Sequence, residues 1–209
     1  DAAQEPWSIY DDVKAMLAAH RAELHAEGAL HEVRVERSDI VREADGVRVG
    51  DVAAPLLVHC AGSFADVRGI VPVKGEGLTV RIPGLALDRI AHRGVFVVPI
   101  GDDVHRVGAT FAWNDVWSAP GEEARAYLLD RLQRLVEREV EVLHHWSGVR
   151  PASKDRRPIL GRIGPHEAVF NGLGSRGVLL APWCAQHLAA HLFDGATLDS
   201  AVDPARFAD

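Results

Sequence analysis

The sequence predicts a mixed α/β chain in which one α/β unit is interrupted by an antiparallel sheet. Three observations carry this. The runs Pro55–Ala61 and Ala168–Asn171 are short and largely apolar, the pattern of strands covered on both faces in a parallel sheet. The stretch between them holds short β-like runs broken by glycine and proline, which suits antiparallel pairing. A glycine-rich turn, Gly172–Gly177, then leads into an apolar segment of helical length.

Taken in order, Val13, Met16, Leu17, His20 and Leu24 recur at helical spacing, Ser8 and Asp11 resemble a capping box, and Gly28 is a helix stop. The valine-rich Leu30–Arg42, the Asp45-Gly46 turn and Val47–Val49 form an expected hairpin. Pro55–Ala61 follows as a buried strand ending at Gly62. Next come the runs Ile70–Val73, Leu78–Ile82, Val95–Ile100 and Val104–Phe111, with Gly101-Asp102-Asp103 as a hairpin turn between the last two. His105 and Arg106 read as solvated hairpin residues. A helix opening near Pro120 places Leu128, Leu132, Leu135 and Val136 on one face. Val142–Val149 and Ala168–Asn171 read as strands, and Val178–Asp194 as an apolar helix stopped by Gly195. The tail Ala196–Asp209 does not read as a strand.

Composition narrows the functional classes. With 209 residues and 47% hydrophobic content the chain can bury a substantial core. Its formal charge of −7, without a dense basic stripe, argues against broad nucleic-acid binding. No apolar run is long enough to span a bilayer. The expectation is a soluble, cytoplasmic protein, with a homo-oligomer left open. Cys60 and Cys184 sit in apolar surroundings and are expected as buried free thiols, although a disulfide stays open.

Several constellations read as structural. His187 and His191 stand four apart on a predicted helix, but no H-E-x-x-H string or third ligand accompanies them, so no metal site is expected. His144 and His145 point to opposite faces of a strand. Trp113, Trp117, Trp146 and Trp183 suit core or interface roles. No Ser–His–Asp or Cys–His arrangement is evident, and no side chain is assigned as a general base.

The Gly172–Gly177 turn matches G-x-G-x-x-G between a strand and a helix. A dinucleotide fingerprint also needs a second parallel strand ending in an acidic residue roughly 20 residues on. Asp194 has the distance but sits at a helix end, so the ADP half of a cofactor is not expected here. The turn remains suited to a ligand, because glycines admit close backbone approach and a helix start offers open amides and a positive dipole end. A plain strand-to-helix turn is the alternative.

Three segments, in order and spacing, resemble the FAD-dependent D-amino-acid-oxidase and glycine-oxidase family: Gly148-Val149-Arg150-Pro151 through Asp155, Pro158 and Gly161; Phe170-Asn171-Gly172 through Pro182; and, more weakly, Val58–Gly62 with Pro72-Val73-Lys74-Gly75. The resemblance implies a partial FAD-binding, Rossmann-like domain interrupted by an antiparallel substrate domain. The expected domains are residues 1–66 and 148–209 for the FAD part and 67–147 for the substrate part. Arg150 falls where the family grips a substrate carboxylate; an ion pair with Asp155 is the alternative for this residue. Gly148 and the backbone from Gly174 through Ser175, Arg176, Gly177, Val178 and Leu179 match the part that faces the flavin. Ser175 and Arg176 are further substrate-site candidates. Ala61 and Gly62 match the strand end beneath FAD, and Val35 a backbone contact to the adenine. Glu76 departs from the glutamine common in the family. The G-x-G-x-x-G that holds ADP in the family has no counterpart before Gly62, so the chain is expected to be a fragment lacking that segment. The implied activity is oxidation of the C–N bond of a small amino acid or amine. Alternatives are a 2-hydroxy-acid or tRNA-modifying flavoenzyme, or a non-catalytic fragment or subunit that completes its FAD site with another chain.

Overall fold

The computed structural model describes residues 13–208, which fall into two compact units. The chain passes between them at 31/32, 73/74 and 149/150. The Ser8–Asp11 cap lies outside the described residues.

The first unit contains helix α1 (Val13–Ala26) and the segment from Lys74 to Val149. The expected helix stop at Gly28 is present: Gly28 is left-handed (φ 66°) and the Ala29 amide returns to the Leu24 carbonyl. No residue of α1 is buried. The unit's sheet has the strand order β6-β7-β8-β5-β9, from β5 (Ile70–Arg81), β6 (Ala91–His92), β7 (Phe96–Gly101), β8 (Val104–Gly108) and β9 (Glu141–Ser153). Strands β7 and β8 pair antiparallel across Asp102 and Asp103, both left-handed, as a two-residue primed turn requires. Helix α2 (Glu122–Gln133) begins with Glu122 and Glu123, carboxylates that suit the positive end of the helix dipole. Its Leu128 and Leu132 are fully buried in one cluster with Leu78, Val80, Ile82, Val97 and Val107. Each such side chain contributes about 1.5–3 kcal/mol through burial.

Two expectations change here. Ile70–Val73 and all of Leu78–Ile82 but its last residue belong to one twelve-residue strand, β5, although Lys74-Gly75-Glu76-Gly77 breaks the apolar run. The break is tolerated for two reasons. Trp146 of β9 lies against Gly77, where an added Cβ would come within 2.3 Å of the indole ring. On the alternate positions, Lys74 and Glu76 are buried but paired: Lys74 Nζ lies 2.7 Å from Glu76 Oε1 and donates to Ser118 Oγ and the Ala119 carbonyl. The other Glu76 oxygen accepts from the Gly121 amide at the start of α2 and lies 2.9 Å from His145 Nε2. The second correction is His105, which is 1% exposed rather than solvated. It sits mid-strand on β8, opposite Val80 and Pro99, with Nδ1 bonded to the Asp103 carbonyl.

The second unit, Glu32–Val73 with Arg150 onward, has two small sheets. Strands β1 (Ile40–Arg42), β2 (Val47–Val49) and β3 (Val52–Ala54) form an antiparallel meander. The Asp45-Gly46 hairpin is as expected, whereas the first strand is only three residues long and β3 escaped the sequence reading. The other sheet has the order β10-β11-β4. Strand β11 (Glu167–Asn171) runs parallel to β4 (Leu57–His59) and antiparallel to β10 (Ile159–Gly164). The parallel pairing agrees with the two apolar runs; β10 was not anticipated. Helix α3 (Gly177–Phe193) seats Cys184 and Leu188 against Leu160 and Val202, and ends at left-handed Gly195. Both cysteines are free, but only Cys184 is buried; Cys60 is exposed. The tail carries a short 3-10 turn, Pro204–Phe207, and no strand.

Candidate flavin-facing turn

Three backbone strips of the second unit meet around the glycine turn. The parallel strands β4 and β11 point their C-terminal ends the same way, so Ala61-Gly62 and Gly172–Gly177 emerge side by side. Asn171, 3% exposed, ties them: its Nδ2 donates to the Gly62 carbonyl (2.9 Å) and its Oδ1 accepts from the Gly172 amide (2.8 Å). The third strip is the end of β9, where Ala152 bridges Leu173 and an added Cβ on Gly174 would touch Ala152 at 3.9 Å. Arg150 lies two residues before Ala152 on the same face of that strand.

The turn itself is locally determined. Gly172 is left-handed (φ 75°), and an added Cβ there would lie 3.0 Å from Ile159 Cγ1 and 3.1 Å from its backbone nitrogen. Arg176 Nη2 donates to the carbonyl of Arg156, a residue itself left-handed (φ 61°). Residue 176 is the N-cap of α3 and its side chain makes no capping bond; a 3-10 turn over Gly174–Arg176 leads straight into the helix. Val178 and Leu179, in the first turn of α3, are 42% and 76% exposed, and a Cβ on Gly177 would meet nothing within 4 Å. An uncapped helix start with open glycine and exposed aliphatic residues suits a flat, partly apolar ligand with a polar edge. The residues therefore fit the pyrimidine end of a flavin.

Of the expected site residues, Ala61, Gly62, Arg150, Gly174, Ser175, Arg176, Gly177, Val178 and Leu179 lie on or beside these strips. Val35 lies in an irregular stretch before β1, 44% exposed, and Gly148 lies on β9 within the first unit; neither is joined to the turn by these contacts. Asp155, offered as an ion-pair partner for Arg150, is held by the Arg206 fork (Nε to Oδ2 2.8 Å, Nη2 to Oδ1 3.2 Å). That bond keeps its carboxyl at about 2. Arg206 also donates to the carbonyls of Arg157, Pro158 and Asp203, so it secures the loop joining β9 to β10.

Sequence reading missed Asn171 as a site residue, although an Asn-Gly step at the end of an apolar strand is a turn signal. It also missed Glu167, which accepts both arms of the Arg42 fork (2.6 and 2.8 Å) and lies 2.9 Å from His59 Nε2. The Arg42 bond, with His59 adding to it and burial opposing, holds the Glu167 carboxyl below its ordinary range. His187 Nε2 accepts the Asp199 amide and His191 Nδ1 donates to the Ala196 carbonyl. That pair fastens the segment after α3. Trp113, Trp117 and Trp183 are at least half exposed, and Trp183 stacks on His187 at 4.8 Å. No helix among the described residues is long and apolar enough to cross a membrane.

Comparison with known proteins bears on what the turn binds. A family model described as DAO, FAD dependent oxidoreductase, matches residues 5–191. Glycine oxidase of Geobacillus kaustophilus is 30% identical over 172 residues, covering 72% of this chain and 43% of that protein. The tRNA 5-methylaminomethyl-2-thiouridine biosynthesis bifunctional protein MnmC of a Polaromonas species is 30% identical over 202 residues, covering 90% of this chain and 29% of that protein. The crystal structure of the Geobacillus kaustophilus glycine oxidase superposes with a TM-score of 0.71 at 28% identity, covering 91% of this chain and 56% of that one. The chain thus spans about half the length of the glycine oxidases it matches and a smaller share of the MnmC proteins.

Proposed function

Because the chain belongs to the DAO family of FAD-dependent oxidoreductases, we propose that it forms part of an enzyme that oxidises the C–N bond of a small amino acid or secondary amine. FAD, when bound, supplies the chemistry by accepting at N5 the hydride that leaves the carbon next to nitrogen. The protein's share is placement. The start of α3, where the N-cap residue makes no side-chain cap, would turn a positive dipole end toward the flavin's pyrimidine edge, where negative charge develops. Arg150 would hold the substrate carboxylate through a bidentate guanidinium fork. Val178 and Leu179, exposed on the first turn of α3, would cover the ring against water. A general base is unnecessary when the amine arrives neutral.

Within this reading the unit formed by Glu32–Val73 and Arg150 onward is the flavin side, and Lys74–Val149 is the substrate side. The observation that carries it is the meeting of the three strips around an uncapped helix start. Two groups of relatives favour amine chemistry by name: glycine is an α-amino acid, and a methylaminomethyl group is a secondary amine. The MnmC match, over 90% of the chain, keeps a tRNA-borne amine as a second reading. The net charge of −7 favours a small substrate instead.

The test is to mix the FAD-loaded protein, without oxygen, with glycine, N-methylglycine, lactate and a methylaminomethyl-uridine nucleoside in turn. Bleaching of the flavin by the amino acids is expected. Bleaching by lactate alone would contradict C–N oxidation, and bleaching by the nucleoside alone would move the assignment to the second reading.

A further inference from the structure

We propose that Asn171 is the positioning residue that holds the two cofactor-facing backbone strips in register. The inference rests on reading the glycine turn as flavin-facing and adds a residue to that site. Three observations carry it. Asn171 is 3% exposed and lies at the C-terminal end of β11, the last position before the turn. Its side-chain amide is used at both ends, donating to Gly62 O across the sheet and accepting from Gly172 N beside it. The two residues it joins are both left-handed, with φ of 54° and 75°.

Left-handed glycines at strand ends are poorly determined by their own sequence, since glycine visits that region and others almost equally. Here the two turns have different causes. Gly172 is confined on one side by Ile159 and the Arg157 carbonyl. Around Gly62, an added Cβ would meet nothing within 4 Å; the turn is closed locally by the Phe64 and Ala65 amides on the Ala61 and Gly62 carbonyls. The amide of Asn171 is the bond that ties this local turn to β11, through the Gly62 carbonyl. A carboxylate in its place would keep the acceptor for Gly172 but put an oxygen anion against the Gly62 carbonyl oxygen. A shorter side chain would reach neither. Asparagine is thus the fitting residue at this position, because it presents a donor and an acceptor on one planar group. Asn171 does not touch the reacting atoms; it acts through the placement of Gly62 and of the turn that leads into α3.

The experiment compares wild type with Asn171→Ala and Asn171→Asp, measuring the FAD dissociation constant by flavin fluorescence and the thermal midpoint of each protein without FAD. Loss of both hydrogen bonds in Asn171→Ala, and of the Gly62 bond with an anion set against that carbonyl in Asn171→Asp, is expected to weaken FAD binding roughly ten- to thirtyfold. A lowered midpoint with unchanged FAD affinity would reduce Asn171 to a stability role and overturn the proposal. So would an Asn171→Asp protein that binds FAD as tightly as wild type. Should a variant fail to fold, amide hydrogen exchange of the wild type without FAD decides: Gly172 is expected to be strongly protected beside exposed Ser175, and equal exchange at the two would overturn the lock. A wild type that binds no FAD in the polypeptide or complex in which the chain works would sink the functional reading and this inference together. Wild-type binding that the variants match would sink the inference alone.

Discussion

Lys74→Met is expected to destabilise the protein by about 3–5 kcal/mol, the cost of leaving a buried carboxylate without its cation. Lys74 and Glu76 are 4% and 5% exposed, and the lysine also bonds Ser118 Oγ and the Ala119 carbonyl. Burial pushes the Glu76 carboxyl up, but the bonds from Lys74 and the Gly121 amide outweigh it and hold the group below its ordinary range. The sign follows: a depressed carboxylate adds stability above its unfolded pKa and loses it as pH falls through the carboxylate range. Removing the lysine exposes the burial cost alone. The double variant Lys74→Met/Glu76→Gln discards both charges while retaining an acceptor for Gly121, and it should be more stable than the single variant. Urea unfolding at neutral pH checks both. A single variant within about 1 kcal/mol of wild type would mean that the cluster is well hydrated and that its burial carries no such cost.

Arg150→Ala is expected to lower kcat/KM for amino acids by about 10²–10⁴-fold, the range for losing a charge-assisted fork onto a carboxylate. Amines without a carboxylate should be nearly unaffected. Arg150→Lys should recover little, because an ammonium does not reproduce the planar fork. Rates on glycine and on a simple secondary amine, measured with FAD saturation confirmed, separate this from a structural defect. Equal loss on both substrates would assign Arg150 to the scaffold.

Much of the fold is legible in the sequence because periodicity reports burial. The spacing of Leu128 and Leu132 announces the buried face of α2, and Asp102-Asp103 announces the β7–β8 turn. Strand β10 is hard to see because Gly161 and Gly164 interrupt it, and its pairing with β11 lies in tertiary contacts. Polar side chains follow the same logic. His105 looks solvated in sequence, yet its strand position alternates with its neighbours and turns it inward. His145 joins Lys74 and Glu76 only once β5 and β9 lie side by side, and no local pattern joins residues so far apart in the chain. For the candidate site, the motif strings name Arg150 and Gly174–Leu179 directly. The role of Asn171 depends on β4 lying parallel to β11, a pairing the apolar runs suggest but whose register they leave undetermined.

The measurement that tests the central claim most directly is the visible absorption spectrum of the protein isolated from its own cells, in whatever polypeptide or complex it works. Bound FAD, retained through desalting and bleached without oxygen by a small amino acid or secondary amine, is the predicted result. A folded protein that carries no flavin and takes up none when FAD is added would contradict the account and leave the glycine turn as a strand-to-helix connection.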